Sequence, residues 1–210
     1  MRDCVFLLAD GTMEAMFQGF FSRDGCHHSL ETRTFSFDPR EDIVSGTNDP
    51  RTYTQAHELL RSYQRTHLHA VIVLDNEWSG SPGVDQIRMD IRRNMMTCGW
   101  DEDAFEVIVI DPELENWLWQ ESPHLIEAFN YEGHQRLRHW LRDQDPPMWL
   151  DGEAKPVRPK EAVEAVLRMT KVPRSAAIYR QITERVSIRR CADPSFGLFC
   201  GCMRRWFPRE

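Results

Sequence analysis

Residues 70–78, AVIVLDNEW, give the clearest indication of the fold. It is a short run rich in Val, Ile and Leu that stops at Asp75, and a turn containing Gly80 and Pro82 follows it. An uninterrupted apolar run of this length, bounded by turn residues, is typical of a strand that is buried on both faces of a parallel sheet. The sequence therefore predicts a central parallel strand with a carboxylate at its carboxyl end.

Two other stretches have the same form: VFLLADGTMEA at residues 5–15 and VIVIDPELENW at residues 107–117. In open α/β sheets, ligands gather at the carboxyl ends of the strands. If the three strands are neighbours, their terminal acids meet at one edge of the sheet, and such a crowd of carboxylates needs a cation to offset its repulsion. The acids concerned are Asp10, Glu14, Asp75, Glu77, Asp111 and Glu115.

Strands and helices are expected to alternate along the first 130 or so residues, which predicts an α/β fold with a parallel sheet flanked by helices. Residues 38–49 are rich in Asp, Pro, Gly, Ser and Thr and predict an irregular loop. Thr12 is the expected N-cap of the first helix. The expected strands are 4–9, 32–37, 70–74 and 105–110, and the expected helices are 12–21, 52–65, 84–96 and a segment from Pro112 onward.

The strand pattern fades after about residue 131. Residues 133–142 predict a helix, and four prolines between residues 143 and 159 make a long helix or strand there improbable. Three parts follow: an α/β domain at 1–145, a Pro-rich linker at 146–159 and a mainly helical basic C-terminal subdomain at 160–210 packed on the core. Within the last part, helices are expected at 160–169 and 174–186, with a short helical piece at 203–207.

The net charge of −7 is unevenly distributed, since residues 1–154 carry 13 Lys and Arg against 28 Asp and Glu, and residues 155–210 carry 13 against 5. An acidic body with a basic C-terminal part fits a carboxylate metal site beside a phosphate-binding surface. Alternatively, the basic part is a solvated face or docks on the acidic body. The candidates for phosphate contact are Lys155, Arg158, Lys160, Arg189 and Arg190.

No apolar stretch approaches the roughly 18–20 residues that a membrane span requires. The first residues run directly into a strand and lack the features of a secretory signal. A cytoplasmic location is therefore the default expectation, and the six cysteines are expected to be reduced thiols. The spacing of Cys and His residues does not match the paired ligands of a structural zinc site.

Two acidic motifs after apolar strands, Asp10-Gly11-Thr12-Met13-Glu14 and Asp75-Asn76-Glu77, resemble those of the Toprim fold of topoisomerases, primases and OLD-type nucleases. That family carries a Glu-Gly motif after its first strand and an Asp-x-Asp motif after a later one. Here Asp10 replaces the Glu and Glu77 replaces the second Asp, so each carboxylate moves by one methylene. Because Mg²⁺ demands near-ideal octahedral geometry, these replacements affect the expected activity more than the expected fold.

Later motifs are similar to those of small bacterial Toprim-like proteins that are often encoded among phage-defence genes. That group has a Pro-x-x-Glu-x-Trp helix start, matched by Pro112 to Trp117, and a basic C-terminal region with a Cys and a Phe. The C-terminal match is Ile188-Arg189-Arg190-Cys191 followed by Phe196. The resemblance spans most of the chain, although each motif is short.

The resemblance implies a nuclease-like protein that depends on Mg²⁺ or Mn²⁺, acts on nucleic acid and belongs to a bacterial anti-phage defence system. Asp10, Asp75 and Glu77 would be metal ligands, Glu14 a second ligand or general base, and Glu115 an outer metal-site residue. Glu14 and Glu115 are also explained as acids favoured in the first turn of a helix, and Asp111 is assigned to a strand end or helix start. The alternative function is a non-catalytic subunit that binds protein partners or nucleic acid in a larger defence complex. The sequence leaves open whether the chain forms a homo-oligomer.

Overall fold

A four-stranded, fully parallel sheet lies at the centre of the computed structural model, which describes residues 1–186 and 191–209. The strand order is β2-β1-β3-β4, which confirms the predicted α/β class. All the residues at positions 4–8 are buried, so both faces of the first strand are covered. The strands are β1 (Arg2–Leu8), β2 (Ile43–Ser45), β3 (His67–Asp75) and β4 (Phe105–Ile110).

Helices connect the strands and make up most of the chain after β4. Within the described ranges, no helix has both the length and the apolar character needed to cross a membrane. The α-helices are α1 (Gly11–Phe21), α2 (Cys26–Leu30), α3 (Pro39–Asp42), α4 (Asp49–Leu59), α5 (Val84–Cys98), α6 (Glu115–Leu118), α7 (Pro123–Ala128), α8 (Leu137–Arg142), α9 (Pro159–Thr170), α10 (Ala176–Arg185) and α11 (Pro194–Trp206).

Aromatic side chains join the sheet to the helices that cover it. The ring of Phe6 in β1 lies 5.6 Å from Phe17 and 5.1 Å from Phe21, both in α1. Phe199 of α11 lies 5.6 Å from Phe17, so α1 and α11 cover the same face. A second pair of helices, α4 and α5, pack against each other, and between them they contact β1, β3 and β4. The sheet is therefore buried between layers of helices.

The second strand is not where the sequence predicted it. Residues 32–37 form no strand, and Thr32 makes only an isolated bridge to Pro208. The apolar side chains of this segment instead fill the aromatic cluster, where Phe37 lies 4.6 Å from Phe21 and Phe35 stacks on Phe207 at 4.8 Å. The actual edge strand is β2, within the stretch predicted to be a loop.

Four helix predictions need correction. The helix expected at 133–142 is α8, which begins only at Leu137. The helix expected at 52–65 is α4, which begins at Asp49 and gives way to a 3₁₀ turn at Arg61–Arg65. The segment after Pro112 contains only the four-residue α6. The last helix, α11, has 13 residues rather than being a short terminal piece. It begins early because the Asp193 side chain accepts hydrogen bonds from the Ser195 and Phe196 amides, which makes a strong N-cap.

The chain after α8 is irregular and then helical. Residues 143–158 contain no helix or strand, as their prolines predict, and the fourth proline, Pro159, is the first residue of α9. The helices that follow do not form a separate layer: α10 packs against α1, α9 contacts α6, and α11 contacts β4. The C-terminal part is therefore packed against the acidic α/β core.

The contact between α1 and α10 depends on Gly19. A Cβ atom there would overlap with the carbonyl oxygen of Arg180 and the hydroxyl of Thr183, whereas a Cβ at Gly197 in α11 would meet no atom within 4 Å. We expect Gly19→Ala to lower the free energy of unfolding by about 1–3 kcal/mol through overpacking. The matched control Gly197→Ala should raise it by about 0.5–1 kcal/mol, because Ala favours the helix. Urea denaturation measures both, and equal effects would contradict the packing argument.

Candidate functional site

The strand order places a topological switch point between β1 and β3. From β1 the chain moves to β2 on one side of the sheet, and from β3 it moves to β4 on the other. Ligands of open parallel sheets bind in the crevice at such a point, outside the carboxyl ends of the strands. Asp10 follows β1 and Asp75 ends β3, so these two predicted acids flank the switch point.

Asp10 is fixed at this edge as the N-cap of α1. Its Oδ1 accepts hydrogen bonds from the amides of Thr12 and Met13, each at 2.8 Å. The prediction of Thr12 as N-cap is wrong, because Asp10 has the extended backbone that lets a carboxylate reach the first free amides. Both bonds use Oδ1, so Oδ2 receives no hydrogen bond from these two amides.

Asp75 is the most unusual acid of the site. Its Oδ1 is buried and accepts no hydrogen bond from any described residue. Burial raises the pKa of Asp75 well above its ordinary value, and the nearby charges of Asp49, Glu115, Asp10 and Glu113 raise it further. A buried polar atom without a partner costs about 1–3 kcal/mol. Asp75 therefore needs a proton or a cation for the folded state to avoid that cost.

Asp49 belongs to the same cluster and was missed by the sequence analysis. It is the first residue of α4, and its Oδ1 accepts a 2.8 Å hydrogen bond from the backbone N–H of Asp75. Burial raises the pKa of Asp49, as does the charge of Asp10. The sequence could have indicated Asp49, because it follows β2 as the predicted acids follow their own strands. It was missed because β2 was not predicted.

Glu113, on the segment between β4 and α6, is a second acid that the sequence analysis missed. Only 5% of the residue is exposed, and its Oε1 accepts a 3.0 Å hydrogen bond from the Lys160 amide. The Lys160 ammonium lies 3.6 Å from Oε2. Burial and the charge of Glu115 nevertheless raise the pKa of Glu113 to about 7. Its carboxyl group is therefore close to half-protonated at neutral pH.

Glu115 is buried and held by the C-terminal helices. Its Oε1 accepts a 2.7 Å hydrogen bond from the Tyr179 hydroxyl and lies 3.3 Å from Nη2 of Arg174. Arg174 also pairs with Glu164 of α9. The basic C-terminal part thus docks on the acidic body, at least through the Arg174–Glu115 and Lys160–Glu113 pairs.

The other predicted acids lie outside this buried cluster. Glu77 is exposed and acts on the cluster only through the charge that it presents to Glu113. Glu14 is half-buried in the first turn of α1, and neither glutamate side chain bonds to another described residue. Asp111 is exposed and accepts a 3.0 Å hydrogen bond from Asn76. The structure therefore brings Asp10, Asp75 and Glu115 together and leaves Glu77 at the exposed margin of the cluster, near Glu113, whereas Glu14 forms no side-chain bond to them.

The carboxylate oxygens of the cluster are chemically suited to bind a hard divalent cation. Carboxylate oxygens are the ligands that Mg²⁺ and Mn²⁺ prefer, and the buried Oδ1 of Asp75 has no other partner among the described residues. As the side chains stand, no group of three or more His, Cys, Asp or Glu in the described part of the chain could hold a metal ion. Binding would therefore require side-chain rotation.

The predicted basic residues are differently placed. The Lys155 ammonium donates to the carbonyl oxygens of Asn116 and Trp119, and burial lowers the pKa of this lysine. Arg158 is exposed just before α9, whereas Lys160 is half-exposed beside Glu113. Lys155 thus serves contacts inside the protein, and Arg158 and Lys160 can reach a phosphate. Two members of the predicted set lie outside the described residues, Arg189 and Arg190.

The cysteines do not contribute to the site. All six are free thiols, in agreement with the expectation of reduced cysteines. Burial raises the pKa of Cys200 to about 12, which leaves it protonated at neutral pH. A protonated thiol is neither a nucleophile nor a metal ligand.

Comparisons of the chain with protein-family models, with curated proteins and with solved structures find no match. The parallel α/β fold agrees with the fold that the Toprim resemblance implies.

Proposed function

We propose that the chain is a Toprim-like, nuclease-like protein that uses Mg²⁺ or Mn²⁺ to hydrolyse phosphodiester bonds of nucleic acid. The observation that carries the proposal is the buried, unpartnered Oδ1 of Asp75 at the switch point of the sheet. Four other carboxylates raise the pKa of Asp75 through their charges. The Toprim resemblance extends the proposal to a role in bacterial anti-phage defence, inside the cytoplasm.

Asp75, Asp10 and Asp49 are the residues that would hold the cation, because they surround the crevice between β1 and β3. A divalent cation supplies an activated water and stabilises the leaving oxygen in phosphodiester cleavage. Binding would require Asp75 to give up its proton, since a metal ligand must be deprotonated. Tyr179 keeps the Glu115 carboxylate oriented toward the cluster.

Two half-exposed cations, Lys160 and Arg174, are placed to bind the substrate phosphate. Their side chains are 46% and 42% exposed, so each can reach the rim of the site, but leaving its buried glutamate unpaired is costly unless another cation takes its place. If a metal ion draws Glu113 and Glu115 toward itself, both cations become available at the rim of the site. Lys160 and Arg174 would then have two arrangements. Without a metal ion they pair with the glutamates of the acidic body, and with a metal ion bound they would contact the substrate phosphate.

A non-catalytic subunit is the second candidate function. It is favoured by the same ion pairs, since Lys160 and Arg174 already neutralise two of the five clustered acids. In that case the acidic cluster is a structural contact, and the protein binds nucleic acid or protein partners within a larger defence complex. The two functions differ in whether Asp75 is needed for cleavage.

Asp75→Asn tests the proposed function. With labelled single- and double-stranded DNA and RNA as substrates, the wild type should cleave at least one in the presence of Mg²⁺ or Mn²⁺ and none with a chelator. The variant should lose on the order of 100-fold or more of that rate, as when a group that stabilises the transition state is removed. The matched control is Asp111→Asn, an exposed acid at the same edge, which should retain the rate. A wild type that binds nucleic acid but cleaves none of the substrates would favour the non-catalytic subunit.

A further inference from the structure

A cleft of about 760 Å³ lies at the amino-terminal edge of the sheet, opposite the acidic cluster. Its wall is formed by the starts of β1 and β3, by α3 and by the 3₁₀ turn at Arg61–Arg65. The volume is within the range of about 300–1,000 Å³ that is typical of small-molecule sites. His67 at the start of β3 lines this cleft, and Asp75 ends the same strand at the acidic cluster. The two sites are therefore separated by the length of β3.

A chain of hydrogen bonds runs from this cleft into the protein through Thr66, His67 and Asp42. Thr66 Oγ1 lies 2.9 Å from Nδ1 of His67, and Nε2 of the same ring lies 3.0 Å from Oδ1 of Asp42. Thr66 lines the cleft and is exposed, His67 is only 3% exposed, and Asp42 is fully buried. A hydroxyl backed by an imidazole, which is held in turn by a carboxylate, is the general arrangement of an activated nucleophile.

The hydrogen bonds run in the direction that proton transfer from the hydroxyl requires. A carboxylate can only accept, so Nε2 of the neutral His67 ring carries the proton and Nδ1 accepts from the Thr66 hydroxyl. The two nitrogens have exchanged the roles that they have in serine proteases, which leaves the path of the proton unchanged. Thr66 Oγ1 also lies 3.3 Å from the carbonyl oxygen of Tyr63, but its contact with His67 is shorter. The Arg2 guanidinium fixes Asp42, so the imidazole has a rigid support.

Two arginines that line the cleft have no acid partner. The guanidinium groups of Arg40 and Arg65 are exposed and form no hydrogen bond or ion pair with any residue in the described ranges. Among the described lining residues the only acid is Glu41, which is also exposed and offsets one of these charges. Arg2 is already neutralised by Asp42. One positive charge therefore remains in excess, and because water screens it, it should favour an anionic substrate over a neutral one only by a small factor.

We propose that Thr66, His67 and Asp42 are a triad that hydrolyses small carboxylic esters, with Thr66 as the nucleophile, His67 as the general base and Asp42 positioning the ring. Oγ1 of Thr66 attacks the ester carbonyl carbon while its proton passes to Nδ1 of His67. The bond to the alcohol then breaks, the alcohol takes that proton, and the acyl group remains on Thr66. Water adds to the acyl carbon and gives a proton to Nδ1, which returns it to Oγ1 as the free acid leaves. The cycle consumes one water for each ester bond.

Ester hydrolysis measured with a chelator present tests the triad separately from the acidic cluster. The probes are 4-acetoxybenzoate and its methyl ester, which carry the same acetyl group on an anionic and on a neutral leaving alcohol. Thr66→Val keeps the shape of the exposed side chain but removes the hydroxyl, and it should lower the catalysed rate on the order of 100-fold or more. Thr66→Ser should keep most of the rate. The matched control is Thr97→Val, because Thr97 is also exposed but its hydroxyl donates to the carbonyl oxygen of Arg93.

Mass spectrometry after an acid quench should find the acetyl group on the peptide that contains Thr66. The anionic ester should be favoured about two- to fivefold after correction for the rates in buffer alone, as expected for one screened charge. Asp75→Asn should hydrolyse both esters as fast as the wild type, and loss of hydrolysis in that variant would assign the activity to the acidic cluster and overturn the triad. The triad is also overturned if the wild type hydrolyses neither ester faster than buffer, if Thr66→Val and Thr97→Val have equal rates, or if the acetyl group is found only on other residues.

Discussion

Asp75→Asn is expected to stabilise the metal-free protein, by on the order of 1 kcal/mol above neutral pH. The native carboxylate is buried beside Asp49 and is opposed by the charges of Glu115 and Asp10. Asn has nearly the same shape but carries no charge, and its amide can donate to a neighbouring carboxylate. A substitution that removes function and raises stability is the signature of a residue kept for binding rather than for folding.

The size of this gain should depend on pH. Burial and neighbouring charges raise the folded-state pKa of Asp75 above its ordinary value of 3.8. Below pH 3.8, Asp75 is protonated in both the folded and the unfolded protein and does not destabilise the fold. The free energy of unfolding then decreases as the pH rises from 3.8 through the raised folded-state pKa. Glu113 adds a similar loss between its ordinary pKa of 4.5 and about 7. The advantage of Asn over Asp should therefore be small in acid and grow toward neutral pH and above.

Urea denaturation with a chelator present, repeated over a pH series, measures this gain. The matched control Asp111→Asn changes an exposed acid at the same edge and should show no comparable gain at any pH. If Asp75→Asn is instead less stable than the wild type across the whole series, Asp75 has a structural role and the functional argument loses its main support.

Asp42→Ala should have the largest effect on stability, a loss of about 3–5 kcal/mol. The Asp42 carboxylate is fully buried and accepts hydrogen bonds from the Arg2 guanidinium, from His67 Nε2 at 3.0 Å and from the Asp38 amide at 2.6 Å. It thereby ties α3 to the first residues of β1 and β3, at the edge of the sheet opposite the acidic cluster. Alanine would leave the buried His67 and the Arg2 guanidinium without their acceptor.

The stability that Asp42 provides should change with pH in the direction opposite to that expected for Asp75. Burial alone would raise the pKa of Asp42, but the bonds from Arg2, the Asp38 amide and His67 outweigh it and hold the pKa below 3.8. The stabilisation is therefore present above the ordinary pKa and is lost as the pH falls through the lower folded pKa. The matched control is Glu184→Ala, which breaks the half-exposed pair with Arg180 and should cost no more than about 0.5 kcal/mol. Equal losses in urea denaturation would contradict a central role for Asp42.

Three of the four strands could be predicted because each is a buried apolar run ending in a turn. β2 could not, since Ile43–Ser45 has three residues, is only partly buried and pairs with β1 alone. The more regular pattern at 32–37 competed with it, although those aromatic residues pack between helices. Missing β2 meant missing Asp49, because its place at the switch point follows from the strand before it.

Only the site residues that directly follow a predicted strand could be predicted from the sequence. Asp10 and Asp75 follow β1 and β3 directly, and local pattern placed them correctly. The burial of Glu113 and Glu115 depends on contacts with Lys160 and Tyr179, which lie 47 and 64 residues further along the chain. No spacing within the sequence indicates such contacts. They arise from the docking of α9 and α10 on the core.

Titration of Mn²⁺ into the metal-free protein at neutral pH, followed by calorimetry, tests most directly whether the acidic cluster is a cation site. Saturable binding is expected for the wild type and for Asp111→Asn, with release of protons because the raised pKa values of Asp75 and Glu113 must fall on binding. Asp75→Asn should show no saturable binding. The acidic cluster is not a cation site if the wild type binds no Mn²⁺, or if Asp75→Asn binds it with the same affinity and the same proton release.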